Sequence, residues 1–294
     1  MMRLRHLCAP PLRLAHRLVR AGRARPPLFR ALLFHDVPLA ERDKFARLVA
    51  YVAAEHGTLT PAEAVARLDH GNAAAGGEAS GKTPWKVPCL FSFDDGFASN
   101  FDIAVDILGR HGIKAALFVC PGLIDLTGDA QRDAVAARVF EGRITGADLP
   151  AGQRLMTWDE LGELKRLGHE IGSHGMLHRR LAGLDADCLA EEVVGSGDLL
   201  DRRLGQDTQW YAYAFGDIAS IDAAAMRRIA GRYRYCRSGL RGANGAATPA
   251  LALRADSAAP ADPMGYQKLL FEGGLDFLYR DAGGRLDAML PDVT

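Results

Sequence analysis

Cysteine is scarce and unpatterned in this 294-residue chain. The five present, Cys8, Cys89, Cys120, Cys188 and Cys236, are odd in number and form no C-x-x-C pair. That excludes a disulfide framework and a thiolate zinc knuckle. Long apolar runs are missing too, with nothing near the roughly 18 residues that a membrane-spanning helix needs. Formal net charge is zero, so no global field selects nucleic acid or another polyanion as partner. Acidic residues are absent before Arg30, a stretch that carries eight arginines including Arg30 itself. A signal peptide can open this way. Here Arg13, Arg17 and Arg20 interrupt Leu12, Leu14, Leu18 and Val19, so no continuous apolar segment forms. Residues 1–30 are expected to be a basic arm: a disordered tail, a stretch from a misassigned start codon, or a short amphipathic segment on an anionic membrane surface. The expected location is the cytoplasm, with peripheral contact at the inner membrane face.

From Ala31 onward the chain is expected to form one catalytic domain running to Thr294. Short apolar runs alternate with helical patterns, the signature of parallel strands in an α/β architecture. The strand candidates are Ala31–Phe34, Pro88–Phe93, Ala115–Cys120, Glu170–Ser173, Trp210–Phe215, Tyr233–Arg237 and Ala250–Arg254. Helices are predicted between them, with Phe45, Leu48, Val49 and Val52 on one face and Leu161, Leu164 and Leu167 on another. Leu189, Val193, Leu199 and Leu200 mark a further helix before Gly205. His70–Thr83 reads as a surface excursion. Asp125–Gly152, with its own short helix over Asp133–Phe140, is expected to shape the rim of a cleft. Strand number and length suit a (β/α) barrel better than an open sheet.

Two short segments carry chemistry. Phe93-Asp94-Asp95-Gly96 ends an apolar strand, and charged residues there land at the carboxyl end, where parallel α/β folds put their sites. An ordinary Asp-Gly turn capping a helix would have the same sequence. Ser173-His174-Gly175-Met176-Leu177-His178 places two imidazoles four positions apart, also just after a strand. Alone that spacing is common. One carboxylate and two imidazoles together make three ligands of a catalytic metal site, and a spare carboxylate beside them can act as a base.

These residues and their surroundings resemble the polysaccharide deacetylases, carbohydrate esterase family four. The family's T-F-D-D-G motif corresponds to Ser92–Gly96, and its H-S/T-x-x-H motif in a G-H-E-I-x-S-H context corresponds to Gly168–His178. Tyr211-Ala212-Tyr213-Ala214-Phe215-Gly216 is similar to its third motif, with Ala214 where proline is usual. Gly175 replaces the usual hydroxyl residue. The resemblance covers roughly Leu32 to Asp256 and implies a distorted (β/α) TIM-like barrel. It implies that Asp95, His174 and His178 hold a divalent metal, zinc above all, with Co2+ or Ni2+ as alternatives. Asp94 would be the general base, with oxyanion and substrate contacts from Tyr213 and Phe215. The implied reaction removes an N-acetyl group from an amino sugar in a polysaccharide, oligosaccharide or lipid-linked precursor. The same machinery can serve a non-sugar amide or cyclic imide, or persist in a non-catalytic glycan-binding relative. No histidine follows His178, so the family's late acid has no counterpart. His35, in Leu33-Phe34-His35-Asp36-Val37, is the candidate acid, against the alternative of a buried structural histidine. Arg254 is the candidate partner of Asp94, against the alternative of a rim salt bridge. Trp158 and Trp210 are better read as packing residues than as sugar platforms.

Overall fold

The computed structural model describes residues 4–20, 28–69 and 86–291; the predicted His70–Thr83 excursion lies outside them. Seven strands are defined: β1 (Arg30–Phe34), β2 (Cys89–Phe93), β3 (Ala116–Val119), β4 (Glu170–Ser173), β5 (Trp210–Ala212), β6 (Tyr235–Arg237) and β7 (Ala255–Ser257). They run in the order β6-β5-β4-β3-β2-β1-β7, and every pairing is parallel. The segment just before β7 lies against β6, with Leu253 N–H donating to Cys236 O at 2.8 Å and Ser238 N–H donating to Leu253 O at 2.8 Å. That contact nearly closes the sheet, giving the distorted (β/α) barrel.

Strands covered on both faces read as continuous apolar runs, and β1 and β2 are buried at every position. Pleating sends alternate residues to opposite faces. Outward, Phe34, Phe91 and Phe93 pack on Phe45 of the Arg42–Glu55 helix, with the Phe34 and Phe45 ring centres 5.1 Å apart. Inward, Leu90, Phe118, Trp210 and Tyr235 fill the barrel, joined by Ala64 and Leu68 of the Pro61–Asp69 helix. The inward series of β2, Leu90 then Ser92, continues to Asp94, so the pleat itself aims that carboxylate into the barrel mouth.

Two strands and one helix depart from the bounds expected of them. The last strand is Ala255–Ser257 rather than Ala250–Arg254. Leu251, Ala252 and Leu253 are the more apolar residues, but they lie in an irregular segment turned by the Ala252 N–H to Pro249 O bond at 2.9 Å. The true strand hides behind Asp256, a fully buried carboxylate held by Arg30 Nε at 2.6 Å. β5 stops at Ala212 because Phe215 takes a left-handed φ of 65°, which an extended strand cannot accommodate. The Asp125–Gly152 region carries its helix at Gly128–Arg138, somewhat earlier than expected.

Candidate active site

Adjacent residues of an extended strand face opposite ways, so two neighbouring aspartates share a cavity only if the backbone breaks. It breaks at Asp95, whose φ is 70°, and at Gly96, whose φ is 81°. Aspartate tolerates this left-handed conformation better than most residues. His178 (φ 58°) and Phe215 (φ 65°) share it. Three of the four left-handed non-glycine residues among those described therefore line one cavity of about 160 Å³. Such clustering of backbone strain is a mark of functional sites.

His174 leaves the end of β4 and His178 follows one short loop later. Nδ1 of His174 donates to the Ala212 carbonyl at 2.7 Å, and Nδ1 of His178 donates to the Arg138 carbonyl at 3.2 Å. A carbonyl only accepts, so these bonds fix the proton on Nδ1 and leave each Nε2 with its lone pair free for a metal. Both Nε2 atoms face Asp95 Oδ1, at 3.6 Å from His174 and 3.3 Å from His178. That oxygen is buried and accepts no hydrogen bond. Metal bonds of about 2.0–2.1 Å at tetrahedral angles put neighbouring ligand atoms roughly 3.3–3.4 Å apart. Lone pairs converging on an orphaned carboxylate oxygen at this spacing fit a divalent cation. Among the described residues, Asp95, His174 and His178 are the cluster that can hold a metal. Their closeness also sets their titration. Burial works against charge on Asp95, but the close His178 outweighs it and holds the carboxyl well below its usual range. Burial likewise opposes charge on His178, and Asp95 overcomes it to raise that imidazole. His174, with burial dominant, is lowered to about 4.

Asp94 takes a different environment. Its Oδ1 accepts a close charged hydrogen bond from the Arg237 guanidinium, while Oδ2 lies 3.7 Å from His174 Nε2. Arg237 ends β6, is buried, and stacks over the Phe118 ring at 4.8 Å. The expected partner, Arg254, is elsewhere: its guanidinium serves the Ala252 and Gly283 carbonyls and Asp287 Oδ1 at 2.7 Å. The reason is parity. Arg237 sits on the inward face of β6, in register with the inward Ala212, whereas Arg254 precedes β7 and points toward the C-terminal helix. Sequence reasoning missed Arg237, although a charge at the carboxyl end of an apolar strand is the signal that revealed Asp94.

His35 follows β1, is exposed, and lines the cavity beside the two aspartates. It is not the buried structural histidine of the alternative reading. Phe215 also lines the cavity, its ring centre 4.6 Å from that of His178 and the Arg180 guanidinium 4.0 Å over its ring. Tyr213 does not. Its ring is buried in the core, its hydroxyl donates to Gly216 O at 3.0 Å, and its backbone N–H is directed at the Cys236 thiol. Trp210 packs inside the barrel, and Trp158 opens the Trp158–Arg166 helix, which Thr157 caps, with its indole N–H donating to Asp125 at 2.8 Å.

The brace that Gly175 lacks comes from Glu192. A Cβ at Gly175 would lie 2.8 Å from Glu192 Oε2, so this carboxylate fills the space of the missing side chain. Oε2 accepts from Leu177 N–H at 3.2 Å, between the two histidines. Glu192 reaches it from a widened, π-type turn over Ala190–Gly195, a feature common near functional sites.

With this geometry in hand, comparison with known proteins gives a class. The family described as Polysaccharide deacetylase matches residues 81–233, and the chain belongs to that family. A curated relative, "Putative polysaccharide deacetylase YxkH" of Bacillus subtilis (strain 168), is 26% identical over 159 residues, 54% of this chain and 44% of that protein. The chain thus matches less than half the length of that relative. Among solved structures, the Streptococcus pyogenes deacetylase PplD in complex with acetate superposes with a TM-score of 0.60 at 21% identity, over 83% of this chain and 97% of that one. IcaB from Ammonifex degensii gives 0.60 at 18% identity, over 84% and 98%. At these identities the likeness establishes the fold.

Proposed function

We propose that this chain hydrolyses the N-acetyl group of an amino sugar within a polysaccharide, an oligosaccharide or a lipid-linked precursor, releasing acetate and a free amine. The observation that carries the reading is one cavity joining a three-donor cluster, Asp95, His174 and His178, to a separate carboxylate, Asp94, anchored by Arg237. The donor set suits zinc, with cobalt or nickel as alternatives. A bound divalent ion supplies Lewis-acid polarisation of an acyl oxygen and activation of water.

The chain's own residues supply the rest. Asp94 Oδ1 is held by Arg237 while Oδ2 faces the cavity, so Oδ2 takes the proton of the attacking water. His35, at the mouth, protonates the departing amine, which an amide needs because a nitrogen anion is a very poor leaving group. The backbone N–H of Phe215, rather than that of Tyr213, donates to the developing oxyanion. Phe215, its ring covered by Arg180, walls the cavity beside His178 and limits the reacting group to something small.

The test is acetate release from N-acetylglucosamine oligomers and lipid-linked amino sugars, with chelation and metal add-back. Chelation should abolish release and zinc or cobalt restore it. Asp94→Asn should lower kcat by about 100-fold or more, the scale of general base catalysis. Release only from non-sugar amides or cyclic imides would redirect the substrate assignment, and full activity of Asp94→Asn would overturn the mechanism.

A further inference from the structure

The N-terminal arm is helical over Leu4–Leu7 and Ala9–Arg20 and docks on the Met264–Phe271 helix. It docks the unusual way round. Arg13 and Arg17 both reach the buried Glu272 carboxylate, at 2.6 Å each, and His16 Nε2 donates to the Glu272 carbonyl at 2.7 Å. The polar face is therefore turned inward. The outward face carries Leu7, Leu12, Leu14, Leu18 and Val19, each between 44% and 69% exposed. These are five of the nine large apolar side chains exposed among the described residues, so the apolar surface is concentrated here rather than scattered. The four-residue spacing of Leu14 and Leu18 keeps them on one stripe of the Ala9–Arg20 helix.

A groove of about 400 Å³ runs between this helix and the Met264–Phe271 helix. Pro10, Leu14 and Met264 form its apolar wall, and Arg13, Arg17 and Lys268 bring positive charge to it. Arg13, Arg17 and Lys268 stand against Glu272 and against Glu55, which Lys86 pairs, so the groove is net positive. No helix among the described residues is long and apolar enough to cross a membrane.

We propose that this face docks on an anionic lipid bilayer, with the leucine stripe in the acyl boundary and lipid phosphates in the Arg13–Arg17–Lys268 groove. Charge selects this occupant over a second copy of the chain. A two-fold contact through the same face would bring two basic rims together, and the arm has no acidic residue to relieve them. A lipid phosphate surface offers hydrocarbon for the stripe and negative charge for its rim. None of the residues lining the catalytic cavity belongs to either helix, so the docking face and the active site share no residue. The inference does not depend on the deacetylase reading, because its readout is partition rather than turnover.

The experiment is sedimentation of the full chain with phosphatidylcholine vesicles, with and without phosphatidylglycerol. Binding is expected to the anionic vesicles and to weaken with salt. Leu14→Glu with Leu18→Glu should lower the partition coefficient about tenfold or more, since it removes apolar contact and adds repulsion. Lys268→Gln should lower it about fivefold, the scale of one surface cation. Both leucines are exposed, so an unchanged circular dichroism spectrum and melting temperature are expected for the double variant. Equal binding to neutral vesicles, no binding, or binding unaffected by the double variant would each overturn the proposal. So would a concentration-dependent dimer in sedimentation velocity that the double variant dissolves.

Discussion

Arg237 and Arg254 show how much a single residue's placement decides. Both arginines lie near strand ends, but only Arg237 is on an inward face, and it holds one oxygen of Asp94 while the other faces the cavity. Replacing it with glutamine should lower kcat about 10- to 100-fold, the usual range for groups that orient a reacting residue, with KM much less affected. Arg254→Gln should leave kcat within about twofold and act on stability alone, as for a single partly exposed ion pair. Equal kcat values in the two variants would remove the positioning role from Arg237. Glu192 offers a second case. Glu192→Ala should weaken metal retention about tenfold in a competition with a chelator, whereas Glu192→Gln, which keeps an acceptor for Leu177 N–H, should retain most of it. If alanine and glutamine behave alike, the carboxylate is not a brace. Asp94, Asp95, His174 and His178 were legible because strand ends, adjacent carboxylates and the four-residue histidine spacing are written in sequence. Arg237 and Glu192 were not, because their partners lie 143 and 15 positions away and only the barrel brings them together.

Strands and helices followed the apolar pattern wherever burial and hydrophobicity coincide, as in β1, β2 and β3. They departed where a buried charge does a strand's work, as Asp256 does in β7, or where a left-handed residue ends a run, as Phe215 does after β5. The entry to β4 holds a further buried polar group, His169, one of the residues of the second motif. Its Nδ1 accepts a hydrogen bond from Ala115 N–H at 3.1 Å, a bond available only to the neutral ring. Burial, reinforced by Lys114, lowers its pKa to about 4. The unfolded chain binds this proton near pH 6.5 and the folded chain resists it. Stability from this group is therefore full above pH 6.5 and lost as pH falls towards 4. The loss is about 2–3 kcal/mol across that window. His56 is lowered to about 4 by burial as well and adds to the same limb. His169→Asn, which keeps an acceptor without the titration, should flatten the fall in unfolding free energy between pH 7 and 4.5. An unchanged slope in denaturant titrations would show that His169 titrates freely.

On the scale of the whole molecule, the barrel and the arm are tied together by charges buried on the flank away from the catalytic cavity. Arg30, at the start of β1, spans Asp256 on β7 and Asp276 beyond the Met264–Phe271 helix. Next to that helix, Glu272 gathers Arg13 and Arg17 from the arm. The arm was expected to be either a tail or a membrane-surface helix. Its described part is a helix packed on the domain, and sequence could not reveal this because its tether, Glu272, lies more than 250 positions downstream. The tether also explains why the leucines point outward: two arginines fixed on one carboxylate leave the helix one rotational setting. Hydrogen bonds between charged groups contribute about 1.5–3 kcal/mol each, so Glu272→Ala should raise the population of the undocked arm at least about tenfold. Limited chymotrypsin digestion reads this directly, because Leu7, Leu12, Leu14 and Leu18 become cleavable once the helix leaves its seat and unwinds. The expected result is faster cleavage within the arm, little change in the core fragment, and acetate release unaltered in the variant. Equal arm cleavage in wild type and variant would mean that apolar packing against the Met264–Phe271 helix, not Glu272, sets the docking. A loss of acetate release would mean that the arm and the catalytic cavity are coupled, contrary to the separation of their residues in the fold.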